Sequence, residues 1–345
     1  MNKQSIALIG ATGSVGQQSL DLISHFLESF ELTLLSCHSN WQSLSLLAKP
    51  WPKAQLACTE QKVSNAPNHF LTGTEAIINA IQQNPPDILL LASSGLTAFS
   101  ILRECYDSCP RIAIANKETL ILAGCSGLLK QIQEKCLLMP VDSEHASIHS
   151  LLEGHNVQDL KKVYLTASGG PFYSREKKDI DWDSITPEQA LKHPSWQMGP
   201  KVSLDSATMA NKGIELIEAY FLFSLEADKL EILIHPHSLI HAVVEWIDGT
   251  SSVHVAPPDM RLCIQYALSW PKRLSANYLP LFDWKKLNSL PLVPFEAKEL
   301  AIIQAAYECI QDPYKAKWLP LVYLAADEVA LERFMEGSMA FKAMG

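Results

Sequence analysis

The sequence lacks the cysteine patterns of a zinc-binding or disulfide-rich protein. Its eight cysteines include no Cys-x-x-Cys pair, and no histidine stands beside Cys105 or Cys109. This usage is typical of a cytosolic protein, in which thiols stay reduced. We therefore expect free thiols, most of them buried.

The sequence also lacks the features that direct a protein to membranes or nucleic acids. No stretch approaches the roughly 18 uninterrupted apolar residues of a membrane span, and no run of lysines and arginines is present. The N-terminus, Met1-Asn2-Lys3-Gln4, leads directly into a strand pattern, so no signal or transit peptide is expected. The formal net charge of −9 argues against a nucleic-acid surface. A cytoplasmic protein without membrane or nucleic-acid partners is the expectation.

The chain does contain enough apolar sequence for more than one folded domain. Hydrophobic residues make up 48% and charged residues 19% of its 345 residues. This composition is typical of a globular protein, and the length predicts two or three domains.

The first part of the chain carries the pattern of a phosphate-binding unit. The β-type run at residues 5–9 is followed at once by Gly10-Ala11-Thr12-Gly13-Ser14-Val15-Gly16 and then by a helical stripe up to Phe26. Glycines between a strand and a helix let the backbone approach a pyrophosphate, which binds at the helix N-terminus. A plain turn is the alternative, because the spacing differs from Gly-x-Gly-x-x-Gly.

Further apolar runs extend this unit into a sheet. They cover residues 32–35, 87–91 and 111–115, with helical patterns between them. This alternation predicts a parallel sheet with right-handed crossovers. The run at residues 32–35, the second strand of the chain, is followed by Ser36-Cys37-His38-Ser39-Asn40, which contains no acid to bind the ribose of NAD. We therefore expect NADPH, although a polar loop without a cofactor role would look similar.

Two carboxylates follow the next apolar run, at residues 137–141. Asp142 and Glu144 stand two positions apart, and on an extended segment they would project to the same side. Two unpaired anions at the end of a buried strand are costly, and a hard divalent cation between them removes that cost. A solvated Asp and Glu in a loop is the alternative, so the pair needs support from elsewhere in the chain.

Three further features are candidate contacts to a substrate. Lys117 lies where a strand ends and a helix begins, within reach of cofactor or substrate. Ser168-Gly169-Gly170 follows another apolar strand and offers a hydroxyl and exposed amides, which suits an anion. The long segment from residue 172 to 199 ends in His193-Pro194-Ser195-Trp196-Gln197-Met198-Gly199, which suits a lid that excludes water. An ordinary helical lysine, a tight turn and a surface loop are the respective alternatives.

A helix pattern that opens near Ser206 supplies a third carboxylate. Asn211 and Glu215 lie four apart on one face, and Lys212 lies next to that face near the positive end of the helix. Ser, Asn and Lys around a helix start make a good phosphate site. Glu215 is the candidate for the third carboxylate, and Glu218, one turn further on, competes with it for this role.

Three histidines in seven residues lie between two β-type runs. They are His235, His237 and His241, and no cysteine is close to them in sequence. A tetrahedral zinc site needs His or Cys ligands, so substrate-side or structural histidines are the stronger expectation. Of the three, His241 is the functional candidate.

Eight motifs occur in one order along the chain. They are Gly10-Ala11-Thr12-Gly13-Ser14-Val15-Gly16, Ala115-Asn116-Lys117-Glu118, Val141-Asp142-Ser143-Glu144-His145, Ser168-Gly169-Gly170-Pro171-Phe172, His193-Pro194-Ser195-Trp196-Gln197-Met198-Gly199, Asp205-Ser206-Ala207-Thr208-Met209, Asn211-Lys212-Gly213-Ile214-Glu215 and Pro258-Asp259-Met260-Arg261. From Ile6 to about Gly337 the chain closely resembles the 1-deoxy-D-xylulose 5-phosphate reductoisomerase family. One glycine loop could arise by chance, but eight ordered motifs form a highly specific set.

The resemblance implies a fold and an activity. The family has an N-terminal Rossmann-like NADPH domain, a central α+β catalytic domain with a flexible lid loop, and a C-terminal helical domain. It forms homodimers through the central domain. Its reaction makes 2-C-methyl-D-erythritol 4-phosphate from 1-deoxy-D-xylulose 5-phosphate in the non-mevalonate isoprenoid pathway. Here the expected boundaries are 1–142 for the NADPH domain, 143–275 for the catalytic domain with its lid at 186–200, 276–295 for a linker and 296–345 for the helical domain.

The resemblance also implies roles for individual residues. The ligands of one Mg²⁺ or Mn²⁺ would be Asp142, Glu144 and Glu215. The phosphate would be held by Ser168, Ser206, Asn211 and Lys212, with His193 nearby on the lid. The substrate carbon chain would contact Ser143, Lys117 and Trp196. His241, the functional candidate among the three histidines, is added to the catalytic set of Lys117, Asp142, Glu144 and Glu215. The cofactor-binding set would be Gly10, Thr12, Gly13, Ser14, Val15, His38, Ser39, Asn116, Glu118 and Gly199.

The chemistry of these residues fits the implied reaction. A carbon–carbon rearrangement develops negative charge on neighbouring oxygens, which a divalent cation stabilises and Lys117 can help to stabilise. The rearranged aldehyde then accepts hydride from NADPH.

The chain departs from the family pattern in two places. After the second strand it has His38, where the family often has Lys or Arg chemistry. Family members also usually continue well beyond the pattern Ala325-Ala326-Asp327-Glu328-Val329-Ala330, so the C-terminal helical domain is expected to be incomplete.

Two other functions compete with this interpretation. A semialdehyde dehydrogenase shares the Gly-Ala-Thr-Gly loop but needs a nucleophilic cysteine, and Cys125 and Cys136 lack an evident partner. A non-catalytic NADPH sensor would need neither three carboxylates nor a lid.

Overall fold

The structure is a computed structural model that describes residues 3–173, 180–192, 199–275, 277–279 and 281–344. The chain divides into two compact units. The first comprises Met1–Asp142 and Met260–Ser275, and the second comprises Ser143–Asp259 and Ala276–Gly345. The expected division into three domains and a linker is finer than this one and stays a prediction.

A parallel sheet forms the centre of the first unit. Its strands are β1 (Gln4–Ile9), β2 (Phe30–Cys37), β3 (Gln55–Cys58), β4 (Leu71–Thr72), β5 (Ile88–Leu91), β6 (Arg111–Ile114) and β7 (Leu137–Pro140). Within the described residues they pair in the order β4-β3-β2-β1-β5-β6-β7, and each pair is parallel. All four residues of β5 are buried, as is usual for a parallel strand covered on both faces. The predicted Rossmann-like parallel sheet is confirmed.

Helices connect the strands of this sheet, except that β4 follows β3 without a helix between them. They are α1 (Ser14–Ser24), α2 (Trp41–Leu47), α3 (Thr74–Gln83), α4 (Thr97–Cys105), α5 (Lys117–Cys125) and α6 (Leu128–Lys135). In a sheet of this kind, ligands bind beyond the carboxyl ends of the strands. The turns that lead from β1 into α1 and from β6 into α5 therefore lie where a cofactor or substrate is expected.

The second unit combines a mixed sheet with helices. Its strands are β8 (Leu160–Ala167), β9 (Leu230–Ile234), β10 (Ile240–Trp246), β11 (Ser251–Val255) and β12 (Val293–Pro294). In the part of the chain that the structure describes, they pair in the order β11-β10-β8-β9-β12. Only the pair β8 and β9 is parallel among these, and the other pairs are antiparallel.

The remaining helices belong to the second unit, with one exception. They are α7 (Ser143–Leu152), α8 (Pro187–Ala190), α9 (Pro200–Thr208), α10 (Ala210–Phe223), α11 (Met260–Ser269), α12 (Ala301–Ile310) and α13 (Leu319–Met335). The exception, α11, packs against α1 in the first unit. The C-terminal helices α12 and α13 both pack against α10. No helix within the described ranges is both long enough and apolar enough to cross a membrane.

Two local expectations from the sequence are wrong. Asp142 and Glu144 do not share an extended segment, because β7 ends at Pro140 and α7 begins at Ser143. An acid in the first turn of a helix is favourable, which suits Glu144 in that position. The helix expected to open near Ser206 is two helices, because Met209 adopts a left-handed conformation with a φ of 69°.

Candidate active site

The glycine turn begins at the carboxyl end of β1 and leads into α1. Gly10 has a φ of +93°, a conformation that favours glycine. A Cβ atom at this position would lie 2.5 Å from the backbone nitrogen of Ser93, so the loop after β5 approaches the turn closely. Within the described residues α1 has no side-chain cap, and an uncapped helix start leaves amides for an anion. The predicted cofactor contacts in this turn are Gly10, Thr12, Gly13, Ser14 and Val15.

Asn116 fixes the loop after β5 against the start of α5. Its Nδ2 donates to the carbonyl oxygens of Ser93 at 2.5 Å and Gly95 at 3.0 Å. Its Oδ1 accepts a bond from the Thr119 amide at 2.6 Å, which caps α5. The Ser93 hydroxyl is buried without a hydrogen-bond partner among the described residues. Ser93 is therefore a candidate cofactor contact that the sequence patterns did not indicate, and only its place after an apolar run could have suggested it.

The other predicted cofactor contacts are more dispersed. His38 is exposed after β2, and its Nδ1 lies 3.1 Å from Oγ1 of Thr59. Ser39 follows it, and Glu118 lies in the first turn of α5. Gly199 precedes α9 in the second unit. Their contacts to a cofactor stay predictions.

Lys117 and Asp142 meet because β6 and β7 are parallel neighbours. Lys117 is the first residue of α5, which follows β6, and Asp142 lies two residues beyond the end of β7. The Lys117 Nζ donates to Oδ2 of Asp142 at 2.6 Å, and both side chains are less than one fifth exposed, at 17% and 18%. The two predicted catalytic residues thus form a largely buried ion pair.

Asp142, Glu144 and Glu215 form a cluster of carboxylates. Each offers an oxygen that lies within 4.8 Å of the other two, and Glu215 is buried. Asp142 ends the first unit, and a single residue joins it to Glu144, so chain connectivity keeps these two close. Ser143 lies between them and donates from its Oγ to Oε2 of Glu144. The donors are all carboxylate oxygens, the ligands that Mg²⁺ and Mn²⁺ prefer, so the residues present fit such an ion.

Lys212 supplies positive charge to this cluster. Its Nζ donates to Oε1 of Glu144 at 2.7 Å and to Oε2 of Glu215. Burial lowers the pKa of the Lys212 ammonium, but the two glutamates outweigh burial, and the pKa is raised above its ordinary value. Lys212 is therefore charged at neutral pH, and the predicted phosphate contact lies directly beside the predicted metal ligands.

The structure shows which of the two candidates, Glu215 or Glu218, joins the carboxylate cluster. Glu218 is also buried, but its Oε2 lies 3.8 Å from Nδ1 of His145. The Nε2 of the same imidazole lies 3.0 Å from the Glu215 carbonyl oxygen. His145 thus holds α7 against α10, and Glu215 is the one whose carboxylate joins the cluster.

The residues predicted to bind the substrate phosphate come from two segments that pack together. Ser168 accepts a hydrogen bond at its Oγ from the amide of Gly170, 3.2 Å away. A Cβ atom at Gly170 would lie 2.8 Å from the carbonyl oxygen of Ser206, so this turn packs against the end of α9. Asn211 donates from its Nδ2 to Oε1 of Glu215, as their spacing on one helix face predicts. His193 and Trp196 lie outside the described residues.

Two of the three histidines at residues 235–241 contact backbone carbonyl oxygens. His235 is buried and bonds through Nδ1 to the carbonyl oxygen of Pro291 at 2.6 Å. His241 is buried, and its Nε2 lies 3.1 Å from the Ala256 carbonyl oxygen. Neither joins the carboxylate cluster, which is the only group of metal-type ligands found in the described ranges. A catalytic role for His241 stays a prediction.

The buried cysteines are poor candidates for a catalytic nucleophile. All eight are free thiols, as expected, and six of them are buried. Burial raises the pKa of Cys136 to about 11. A thiol protonated at neutral pH is a poor nucleophile, which weighs against the semialdehyde dehydrogenase interpretation.

Comparison with known proteins places this geometry in a family. The family model of 1-deoxy-D-xylulose 5-phosphate reductoisomerase matches residues 6–124, and models of its C-terminal domains match residues 138–223 and 255–345. The 1-deoxy-D-xylulose 5-phosphate reductoisomerase of Thermomicrobium roseum is 36% identical over 341 residues, which cover 97% of this chain and 86% of that protein. The chain belongs to the 1-deoxy-D-xylulose 5-phosphate reductoisomerase family. The enzyme of Caldanaerobacter subterraneus is also 36% identical, over 98% of this chain and 89% of its own.

Solved structures of reductoisomerases share the fold. One from Zymomonas mobilis in complex with NADPH superimposes with a TM-score of 0.87 at 31% identity, covering 99% of this chain and 89% of that one. Another, in complex with NADPH, fosmidomycin and magnesium, has a TM-score of 0.88 at 30% identity and covers 99% of this chain and 87% of that one. Both structures contain NADPH, and the second contains magnesium, an ion that suits the carboxylate cluster of this chain.

Proposed function

We propose that this protein converts 1-deoxy-D-xylulose 5-phosphate into 2-C-methyl-D-erythritol 4-phosphate, with NADPH as reductant and one divalent cation. The observation that carries the proposal is the carboxylate cluster of Asp142, Glu144 and Glu215, with Lys117 and Lys212 bonded to it, in a chain of the reductoisomerase family. Within the non-mevalonate isoprenoid pathway this step would rearrange the carbon skeleton to an aldehyde, which NADPH would reduce to the product.

The carboxylate cluster would hold the divalent cation. When bound, Mg²⁺ or Mn²⁺ supplies Lewis-acid stabilisation for negative charge on the keto and hydroxyl oxygens of the substrate. The ammonium of Lys117 adds electrostatic stabilisation from beside Asp142. Ser143, which lies between two of the ligands, would contact the carbon chain of the substrate.

The phosphate of the substrate would bind to residues at the end of α9, at the start of α10 and in the turn after β8. These residues are Ser206, Asn211, Lys212 and Ser168. Lys212 provides a charged donor, and the hydroxyl and amide groups add orientation. Binding energy from a phosphate remote from the reacting carbons can be used to orient the substrate for reaction.

The first unit would hold NADPH. The turn after β1 presents amides at the start of α1 without a competing acid in its first turn, and the segment after β2 has His38 in place of a ribose-binding acid. The positions that would contact NADPH are those given above for the glycine turn, the end of β2 and the start of α5. We further propose a cytoplasmic homodimer that assembles through the central domain, and the domain boundaries expected from the sequence.

The reaction product tests this proposal directly. Purified protein should be incubated with 1-deoxy-D-xylulose 5-phosphate, Mg²⁺ and either NADPH or NADH, and the product should be identified by NMR. We expect 2-C-methyl-D-erythritol 4-phosphate, formed faster with NADPH. Binding of NADPH without any turnover would favour the sensor interpretation and refute the proposed function.

A further inference from the structure

An ion-pair network of one partly exposed lysine and two buried aspartates connects α9 with the C-terminal helix α13. The Nζ of Lys201 donates to Oδ2 of Asp205 at 2.8 Å, one turn along α9, and to Oδ2 of Asp327 on α13 at 3.1 Å. The side chains of the two aspartates are only 3% and 4% exposed. A buried ion pair adds little net stability over apolar residues of the same volume. Its directional bonds are better suited to fixing how two helices are placed.

The network lies next to the proposed phosphate site along the chain. Asp205 directly precedes Ser206, and α9 ends two residues later, at Thr208. After the left-handed residue Met209, α10 begins, and Asn211 and Lys212 lie in its first turn. The hydroxyl of Thr208 accepts a bond from the Ala210 amide at 3.2 Å, which ties the end of α9 to the start of α10. A shift of Asp205 would therefore move the groups proposed to bind phosphate.

A second contact of α13 lies further along the chain, in α10. Tyr323 lies one turn before Asp327, and a Cβ atom at Gly213 would collide with its hydroxyl oxygen. The Tyr323 hydroxyl is buried and finds no hydrogen-bond partner in the residues that the structure describes. Helix α13 thus contacts α9 through Asp327 and α10 through Tyr323, before Ser206 and after Asn211 in the sequence.

We propose that Asp327 is a positioning residue for the phosphate site. It binds Lys201 and, through Lys201, fixes the position of Asp205. The hydrogen-bond donors at the end of α9 and in the first turn of α10 are thereby placed to bind the same phosphate. This inference rests on the proposed function, because it concerns the phosphate of the same substrate. The competing explanation is that Asp327 serves only to dock α13, whose Phe334 already packs with Leu204 and Ala207 of α9.

A graded series of variants separates the two explanations. Asp327→Leu removes the acceptor of Lys201, Asp327→Asn keeps its shape but not its charge, and Glu328→Gln is the matched control at the exposed neighbouring position. The measurements are KM for 1-deoxy-D-xylulose 5-phosphate, kcat, the inhibition constant of inorganic phosphate and the dissociation constant of NADPH.

We expect KM and the phosphate inhibition constant to rise together, about tenfold in Asp327→Leu and about threefold in Asp327→Asn. The kcat and the NADPH dissociation constant should stay within about twofold of the unaltered protein, as should every constant of Glu328→Gln. If Asp327→Leu does not fold, Asp327→Asn decides alone.

An unchanged KM in a folded variant would overturn the inference. A rise in KM together with an equal fall in kcat and an equal weakening of NADPH binding would also overturn it, because a docking role predicts that result. Absence of turnover in the unaltered protein would instead refute the proposed function.

Discussion

Replacement of Glu215 by glutamine is the most informative single perturbation of the carboxylate cluster. The change keeps the volume of a side chain that is only 2% exposed, and it removes one of the cluster's three negative charges. Asn211 and Lys212 each donate to a different carboxylate oxygen of Glu215. A glutamine offers only one acceptor oxygen, so one of these donors would face its NH₂ group.

The size of the effect follows from the position of the lost charge. Loss of a residue that only hydrogen-bonds to a metal ligand lowers metal affinity about 10- to 100-fold. Loss of a ligand itself should therefore lower metal affinity by at least about 100-fold. Two unit charges about 4 Å apart attract by about 4 kcal/mol near a protein surface, which corresponds to about 1000-fold. We expect the affinity for Mn²⁺, and turnover at fixed Mg²⁺, to fall within this range in Glu215→Gln.

The assay combines three measurements on one preparation. Mn²⁺ affinity is measured by electron paramagnetic resonance, turnover by NADPH oxidation, and NADPH affinity by fluorescence. The control is Glu218→Gln, one turn along the same helix, where the carboxylate faces His145. It should lower the melting temperature but change Mn²⁺ affinity by less than about threefold, because this carboxylate is outside the cluster.

NADPH affinity should be unchanged in both variants. If Glu215→Gln binds Mn²⁺ as tightly as the unaltered protein, Glu215 is not a ligand. Equal losses in the two variants would show that buried charge in α10, rather than ligation, determines the result.

Three other experiments test the phosphate site, the packing of α13 against α10 and the role of the thiols. Lys212→Ala should raise KM for the phosphorylated substrate at least about tenfold, because a charged donor is lost; the exposed Lys298→Ala is its control, and a normal KM would remove Lys212 from the phosphate site. Gly213→Ala should lower the free energy of unfolding by about 1–3 kcal/mol, because its Cβ would overlap the Tyr323 hydroxyl; a denaturant titration with the same midpoint as the unaltered protein would contradict this. Alkylation of the accessible thiols should leave turnover intact, because the proposed reaction uses no cysteine; inactivation that bound substrate and NADPH prevent would show a reactive thiol in the site and revive the dehydrogenase interpretation.

The first unit was largely predictable from the sequence because its signals are local. The residues of β1, the glycine turn and α1 follow one another without interruption, and each carries its own pattern of apolar residues or glycines. Apolar runs in alternation with helices then admit few topologies other than a parallel sheet.

The local path of the chain near the site was less predictable. The sequence around Asp142 is compatible with an extended segment, and only the structure shows that a helix begins at Ser143. The break between α9 and α10 depends on Met209, which has a positive φ. Methionine rarely adopts this conformation, so the sequence does not predict a break there.

The choice between Glu215 and Glu218 could not be made from spacing. Both residues lie on α10 and both are buried. Their difference is a tertiary one, because His145 of α7 faces Glu218, whereas Lys212 and Glu144 face Glu215. The closeness of Ser93 to Gly10 could not be predicted for the same reason, since it depends on the pairing of β1 with β5.

Metal removal and restoration would show whether the carboxylate cluster holds a cation that the reaction needs. NADPH oxidation with 1-deoxy-D-xylulose 5-phosphate should be followed before and after treatment with EDTA, and again after addition of Mg²⁺ or Mn²⁺. We expect EDTA to abolish turnover while NADPH binding persists, and either cation to restore turnover. Oxidation of NADPH at an undiminished rate in excess EDTA would contradict a metal-dependent reaction at Asp142, Glu144 and Glu215.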